Sequence, residues 1–448
     1  MGAEKQYTDL YHSQRDLLCA NSSDLINSRR EEAFGTLSLK GIPNRKVERY
    51  RYTDMGSVLA PNYGLNLRRL RFPLNPYDAF KCGVPNLSTC LFFVENDSLF
   101  GLDGAGMSQL PDGITLCSLK DSPRSCLPLL NSLYDGMSGK DGDSLSALNT
   151  MLAQDGLLIH VAPKSKTKKA IQIVNLLRSD VDLMVNRRVL IIVEEEAEAD
   201  ILFCDHALDL HRFLTTQVVE IYVGKGASLN LYFLEETHSE CSQISNVYIN
   251  QEASSHVYLN SITLQNGISR TKTDVWLKGE KATCSLNGCV IASGRQHVDN
   301  NTLIYHQAPG CESDETYKYV LDDKAIGAFA AKVLVEQGAQ KTVSKITNQN
   351  ICSSKSARML TQPMLEIYAD DVKCSHGSTV GRLPEEALFY MRQRGITASE
   401  AIMLLKAAFL NEVIGTIKLQ PLRDRMQFLV EKRLRGSLES CRGCSQCR

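Results

Sequence analysis

The chain has 448 residues, with 50 Lys and Arg against 51 Asp and Glu and a formal net charge of −1. That length exceeds the needs of one minimal core, so two or three domains are expected; the even charge removes any electrostatic case for a nucleic-acid or anionic-membrane partner. Hydrophobic residues at 43% and charged residues at 23% exclude a disordered chain. No run of 18 apolar residues exists, and the opening Met1, Gly2, Ala3, Glu4, Lys5 lacks the apolar centre of a signal peptide. A cytoplasmic protein is therefore expected. The 15 cysteines, scattered from Cys19 to Cys447, follow no disulfide-framework spacing and fit reduced thiols.

Residues 1–150 mix short helical and strand patterns with many breaks, and nothing catalytic stands out. A helix is expected over residues 22–34, ended by Gly35, with short strands at 91–94 and 114–116. From about 151 to 383 the texture becomes runs of alternating or β-branched residues, as at 188–193, 218–223, 228–233 and 256–259. No amphipathic helix interrupts them.

Within this stretch an aliphatic residue, three mostly polar positions and an alanine recur. The alanines are Ala197, Ala227, Ala253, Ala282, Ala308 and Ala339, at intervals of 26 to 31 residues. A strand, a tight corner needing a small residue, and another strand describe one coil of a β-solenoid. A sandwich with evenly spaced hairpins is the alternative, but sandwiches seldom keep one corner motif through so many turns.

Residues 384–436 switch to helical period. Pro384 in a first turn, Glu385 and Glu386 beside it and Gly395 as terminator mark one helix. Thr397 with Glu400 forms a capping-box pattern that opens a second, whose Ile402, Leu405, Phe409 and Val413 recur at helical spacing. A third is expected over about 422–434. Phe409 and Val413 are expected to be free to face a partner protein. Residues 437–448 form a tail with Cys441, Cys444 and Cys447.

Absent motifs narrow the chemistry. The Gly224, Lys225, Gly226 corner lacks the spacing of a phosphate loop, so the chain should not hydrolyse ATP. There is no G-x-S-x-G elbow and no H-E-x-x-H helix. Asp322 with Asp323, and Asp370 with Asp371, are isolated pairs that read as solvated corners, whereas solenoid lyases cluster acids around calcium. One strand segment does carry soft-metal ligands. Side chains two apart on a strand share a face, which sets Cys374 beside His376, a thiolate and an imidazole able to bind iron or zinc. Two ligands do not make a site, so a partner chain must complete it. The same spacing also describes a buried cysteine beside a hydrogen-bonded histidine.

The run LEIYADDVKCSHGSTVG at 365–381, continuing as PEEALFYMRQRGI at 384–396, closely resembles the SufB/SufD family of the SUF iron–sulfur assembly system, on its SufD side. DGLLIHV at 155–161, RVLIIVEE at 188–195 and RYRYTD at 49–54 extend the resemblance over nearly the whole chain. It implies a non-enzymatic scaffold built on a right-handed parallel β-helix, with an N-terminal mixed α/β region and a C-terminal helical domain. It also implies pairing with SufB through the β-helix ends, and recruitment of the ATPase SufC by the helical domain. The histidine of the family's KCSHG motif, placed where the cluster is built, maps onto His376; Cys374 matches the same motif with a lesser role. The nascent iron–sulfur cluster would be held transiently and shared with SufB; flavin binding and a homodimer formed without SufB stay open. SufB-type chains carry T-Q-C-D-S and E-H-E-A-T, where this one has Gln362, Pro363 and Cys374, Ser375, His376, Gly377, which favours the SufD side.

Three alternatives remain: the paralogous SufB scaffold, a β-solenoid carbohydrate-active enzyme, and a solenoid that merely docks partners. In the tail, Cys441, Cys444 and Cys447 have spacing that lets three thiolates converge on one metal, with Arg442 and Arg448 favouring the thiolate form. The fourth ligand is missing from the sequence nearby, and an exposed frayed end is the competing reading.

Overall fold

The computed structural model describes residues 3–70, 75–79, 89–101 and 110–436. Cys441, Cys444 and Cys447, and with them the metal-tail expectation, lie outside the described residues. The fold is mainly β: a β-solenoid of about eight turns, with a mixed α/β region before it and helices after it.

Strands of similar length alternate between two sheets. Leu183–Val193, Phe213–Val223, Cys241–Gln251, Ile268–Leu277, His297–His306, Ile326–Val335 and Arg358–Ile367 stack in parallel in the first sheet. In the second, Ala170–Leu177, Glu198–Ala207, Ser228–Glu236, His256–Gln265, Thr283–Ala292, Glu312–Leu321, Thr342–Cys352 and Val372–Gly381 do the same. Each strand pairs with the one two places on, so a coil contributes one strand to each sheet and the lumen lies between them. Alternation then sends every second side chain inward. Val193, Val223 and Leu277 fill this lumen with Ile201, Leu231, Leu259 and Leu286, all buried.

The corners repeat, although not on the alanines alone. A residue with left-handed backbone recurs at Glu196, Gly226, Ser254, Lys281, Gly310 and Lys341, with φ between 55° and 69°. The residue after each is small and buried: Ala197, Ala227, Ser255, Ala282, Cys311 and Thr342. Strand register confirms the alignment, since Ser228 pairs with His256, His256 with Thr283, Thr283 with Glu312 and Glu312 with Val343. Ala253, Ala308 and Ala339 therefore lie two or three residues ahead of the true corner. The turn requires small volume, which serine, cysteine and threonine supply as well as alanine, so reading only for alanine slipped the register.

Helices cover both outer faces. On the first sheet, Tyr7, Leu18, Ala33, Leu37, Leu148 and Met151 pack over Met184, Leu214 and Ile244. The expected helix over 22–34 is in fact two, Asp24–Asn27 and Arg30–Lys40. Gly35 lies inside the second, where burying Ala33 and Leu37 outweighs the roughly 1 kcal/mol cost of an interior glycine. Gly41, at φ 65°, ends it instead. The helix Glu4–Ala20 precedes them and buries Tyr7, Tyr11 and Leu18. Two strands of the N-terminal region join the sheets: Thr89–Glu95 pairs with Ala170–Leu177, and Ile114–Ser118 with Leu157–Val161. Among the described residues no helix is long and apolar enough to cross a membrane.

RYRYTD straps this region to the solenoid. Arg49 forks onto Asp274 at 2.6 and 2.9 Å and reaches Asn301 at 2.8 Å. Thr53 donates to Asp299 at 2.6 Å, and Tyr52 donates to Gln362 at 2.8 Å.

On the second sheet, Leu410, Val413, Ile414, Ile417, Met426 and Leu429 of the C-terminal helices cover Leu202, Tyr232, Ile262, Ile291 and Val320. Thr397 caps Ala398–Ile414 as expected, accepting the Glu400 amide at 3.3 Å.

Candidate functional site

Among the described residues the solenoid ends on two strands with one free edge each. Val372–Gly381 pairs with Thr342–Cys352 and Arg358–Ile367 with Ile326–Val335; each is the last of its sheet. Their outer N–H and C=O rows are open to a further strand, an arrangement that folded proteins usually avoid or use for a partner.

Register fixes where the motif side chains point. Cys374 pairs with Ser344, His376 with Ile346 and Ser378 with Asn348. Ser344, Ile346 and Asn348 are buried in the lumen, so Cys374, His376 and Ser378 continue those lumen rows onto the end face. Ser378 and Thr361 touch at 2.8 Å across the mouth, hydroxyl to hydroxyl. The strand reading of Cys374 and His376 as neighbours on one face therefore holds.

Their surroundings differ. Cys374 is half-buried, and burial pushes its thiol up, against the lowering effect of the Ser344 amide; it is neutral until something displaces its proton. The His376 imidazole is exposed and makes no hydrogen bond among the described residues. The structure thus does not give the hydrogen-bonded histidine of the bland alternative. Among the described residues no three His, Cys, Asp or Glu side chains converge on a metal position. Thiol and imidazole together offer two ligands and a proton carrier at an open face. Leu360, Ile367, Tyr368 and Val380 stand exposed around it.

The expectation for Phe409 and Val413 is corrected. Val413 is 0% exposed, sealed against the second sheet. Phe409 is half-buried, with the Lys318 ammonium 4.5 Å from its ring centre. Helical period identified an apolar stripe but could not say which surface it meets; the uncovered sheet face of the chain itself claims it. The helix Glu385–Gln393 has no buried residue, and its Phe389 and Tyr390 are 62% and 59% exposed; Phe428 of the last helix is exposed as well. The i, i+1 placement of Phe389 and Tyr390 beside glutamates gave no stripe to notice. The aspartate pairs sit at corners as expected: Asp322 receives Lys406 at 3.2 Å, and Asp323, at φ 52°, accepts the Gly294 amide.

Comparison with known proteins matches this architecture. Residues 176–409 fit the family described as "SUF system FeS cluster assembly, SufBD core domain", and residues 1–173 fit "SufBD protein N-terminal region". The chain belongs to the SufB/SufD family. An iron–sulfur cluster assembly SufBD family protein of Synechocystis is 25% identical over 94% of both chains. The iron–sulfur cluster assembly protein SufD of Escherichia coli is 35% identical over 40% of this chain and 42% of its own. A chloroplastic protein of Arabidopsis thaliana is 26% identical over 93% of this chain and 88% of its own.

Proposed function

We propose that this chain is a scaffold of the SufD type, non-enzymatic itself, whose open solenoid end forms half of an iron–sulfur cluster-building interface with a SufB-type chain. The observation that carries this reading is the placement of Cys374 and His376 on the lumen rows, at an end face where two strands each present one free edge among the described residues. A partner offering a matching end would extend both sheets and bring its own ligands to the mouth. The cluster is cargo, assembled and passed on, so an incomplete ligand set on either chain serves release. A second copy of the chain would offer the same edges, which supports a homodimer when the paralogue is absent. Anaerobic co-purification with the SufB-type chain, followed by iron and sulfide analysis, tests the reading. Complexes of normal stoichiometry whose iron is unchanged when His376 is removed would refute it.

Recruitment of the SufC ATPase belongs to the C-terminal helices, on the face bearing Phe389 and Tyr390. Deleting 384–436 would strip the apolar cover from the second sheet, so it tests folding and docking at once. Point changes separate them. Phe389→Asp with Tyr390→Asp is expected to weaken SufC binding about tenfold or more, measured by calorimetric titration, with thermal stability unchanged. Val413→Asp should instead destabilise the chain alone. Full SufC affinity in the double variant would move the docking surface elsewhere.

A further inference from the structure

The lumen is largely aliphatic, but along one side it turns polar. Gln217, Ser245, Thr271 and Asn300 stand in register on successive strands of the first sheet. Asp205, Glu235 and Thr263 stand in register on the second. Between them lies a cavity of ≈ 30 Å³ lined by all seven, room for about two water-sized occupants and too small for an organic ligand.

These seven supply polar groups on part of its wall, and Phe233, Val247, Leu259 and Ile262 line the rest. Asp205 is spoken for: it accepts Arg187 Nη1 at 2.5 Å and Asn175 Nδ2 at 2.9 Å, so its charge is cancelled. Among the described residues Glu235 has no cation and accepts Thr263 Oγ1 at 3.2 Å, the Asn266 amide and the Ser269 hydroxyl. Gln217 is 3% exposed; its Nε2 donates to Ser245 Oγ at 3.1 Å, and its Oε1 has no partner. A buried amide oxygen left unmatched costs about 1–3 kcal/mol, and this one lines an ion-sized space.

We propose that the cavity binds one dehydrated monovalent cation of the sodium class, held by Gln217 Oε1, the Glu235 carboxylate and neighbouring hydroxyls. Oxygen donors select a hard cation. The charge count selects a monovalent one, because Arg187 already neutralises Asp205 and a divalent ion would leave a net positive charge in the core.

Burial, with Asp205 on the neighbouring strand, raises the Glu235 carboxyl to about 8. The other ionisable groups around it are Arg187, held by Asp205, and Cys241, whose thiol burial pushes up to about 11; His206 and Glu236 alternate to the outer face.

The test uses the full chain. Crystals soaked in a thallous salt should show an anomalous peak between Gln217 and Glu235. Melting in NaCl should exceed melting in choline chloride at equal ionic strength. Above its dissociation constant, each tenfold rise in Na⁺ should lower the unfolding equilibrium constant about tenfold. Glu235→Gln and Gln217→Leu should each abolish the Na⁺-specific part. Gln217→Leu removes an unmatched oxygen and no charge, so over a merely hydrated cavity it would be neutral or stabilising and leave the salt response intact. That result, or no thallous peak with identical melting in both salts, overturns the proposal. Stoichiometric Mn²⁺ binding lost in Glu235→Gln would overturn the monovalent assignment.

Discussion

Replacing His376 with alanine is expected to leave the complex with a SufB-type chain intact while cluster formation on it falls about tenfold or more. The imidazole is exposed and makes no hydrogen bond among the described residues, so its loss removes little packing, and the free chain should melt within about 0.5 kcal/mol of the parent. What disappears is a ligand and proton carrier at the mouth of the lumen. Anaerobic reconstitution followed by visible absorbance and sulfide analysis measures the loss. Cys374→Ser should do less, because its thiol is held protonated by burial. If His376→Ala dissolved the complex, the histidine would be an interface contact and not a cluster residue. If Cys374→Ser were as damaging, the thiolate would have to form despite that burial, and the order of the two roles would reverse.

Arg188→Met is expected to cost about 3–5 kcal/mol of stability, the usual penalty for leaving a buried charge without its partner. Arg188 is 2% exposed and its guanidinium meets Glu220 at 2.7 Å, Asp135 at 2.9 Å, Ser138 at 2.8 Å and Thr150 at 2.8 Å. Glu220 in turn accepts the amides of Asp135, Met137 and Ser138. This knot ties the loop before the helix Ser144–Leu152 to the outer face of the first sheet. Methionine keeps much of the volume and strands two carboxylates, so urea unfolding should show a lower midpoint. A change under about 1 kcal/mol would mean that water enters and rescues the acids. Arg187, the adjacent residue, points the other way into the lumen and pairs with Asp205.

That neighbouring pair shows how much of the fold the sequence carried. Two arginines in a β-branched run reveal a strand, but not that one faces the lumen and one the helices, since Arg187 finds its acid across the lumen on the next strand and Arg188 finds its own on the neighbouring coil and in the N-terminal region. The solenoid was legible because its alternation is local and repeated. Its corner register was not, because Ser255, Cys311 and Thr342 satisfy the same volume limit as alanine. The pairing of Cys374 with His376 followed from strand geometry alone. Their position at an open end did not, as it depends on where the stack stops. Val413 was misplaced for a similar reason: a stripe at helical spacing says that something covers it, and here the cover is the second sheet. Glu235 drew no notice, being one acid among 51 Asp and Glu.

The strap formed by Arg49, Tyr52 and Thr53 bears on the order in which the chain matures. A stack of coils needs only its nearest neighbours and can grow as it leaves the ribosome. These contacts, however, join residues separated by 221 to 310 positions. The strap at 49–53 must therefore wait, partly unfastened, until the strand bearing Gln362 has been synthesised. Tyr52 closes on the second-last strand, next to the end face that awaits a partner, so fastening coincides with completion of that face. A nascent chain halted before residue 362 would show the 49–53 segment more open to protease, and the same segment would be protected once the last coil is in place.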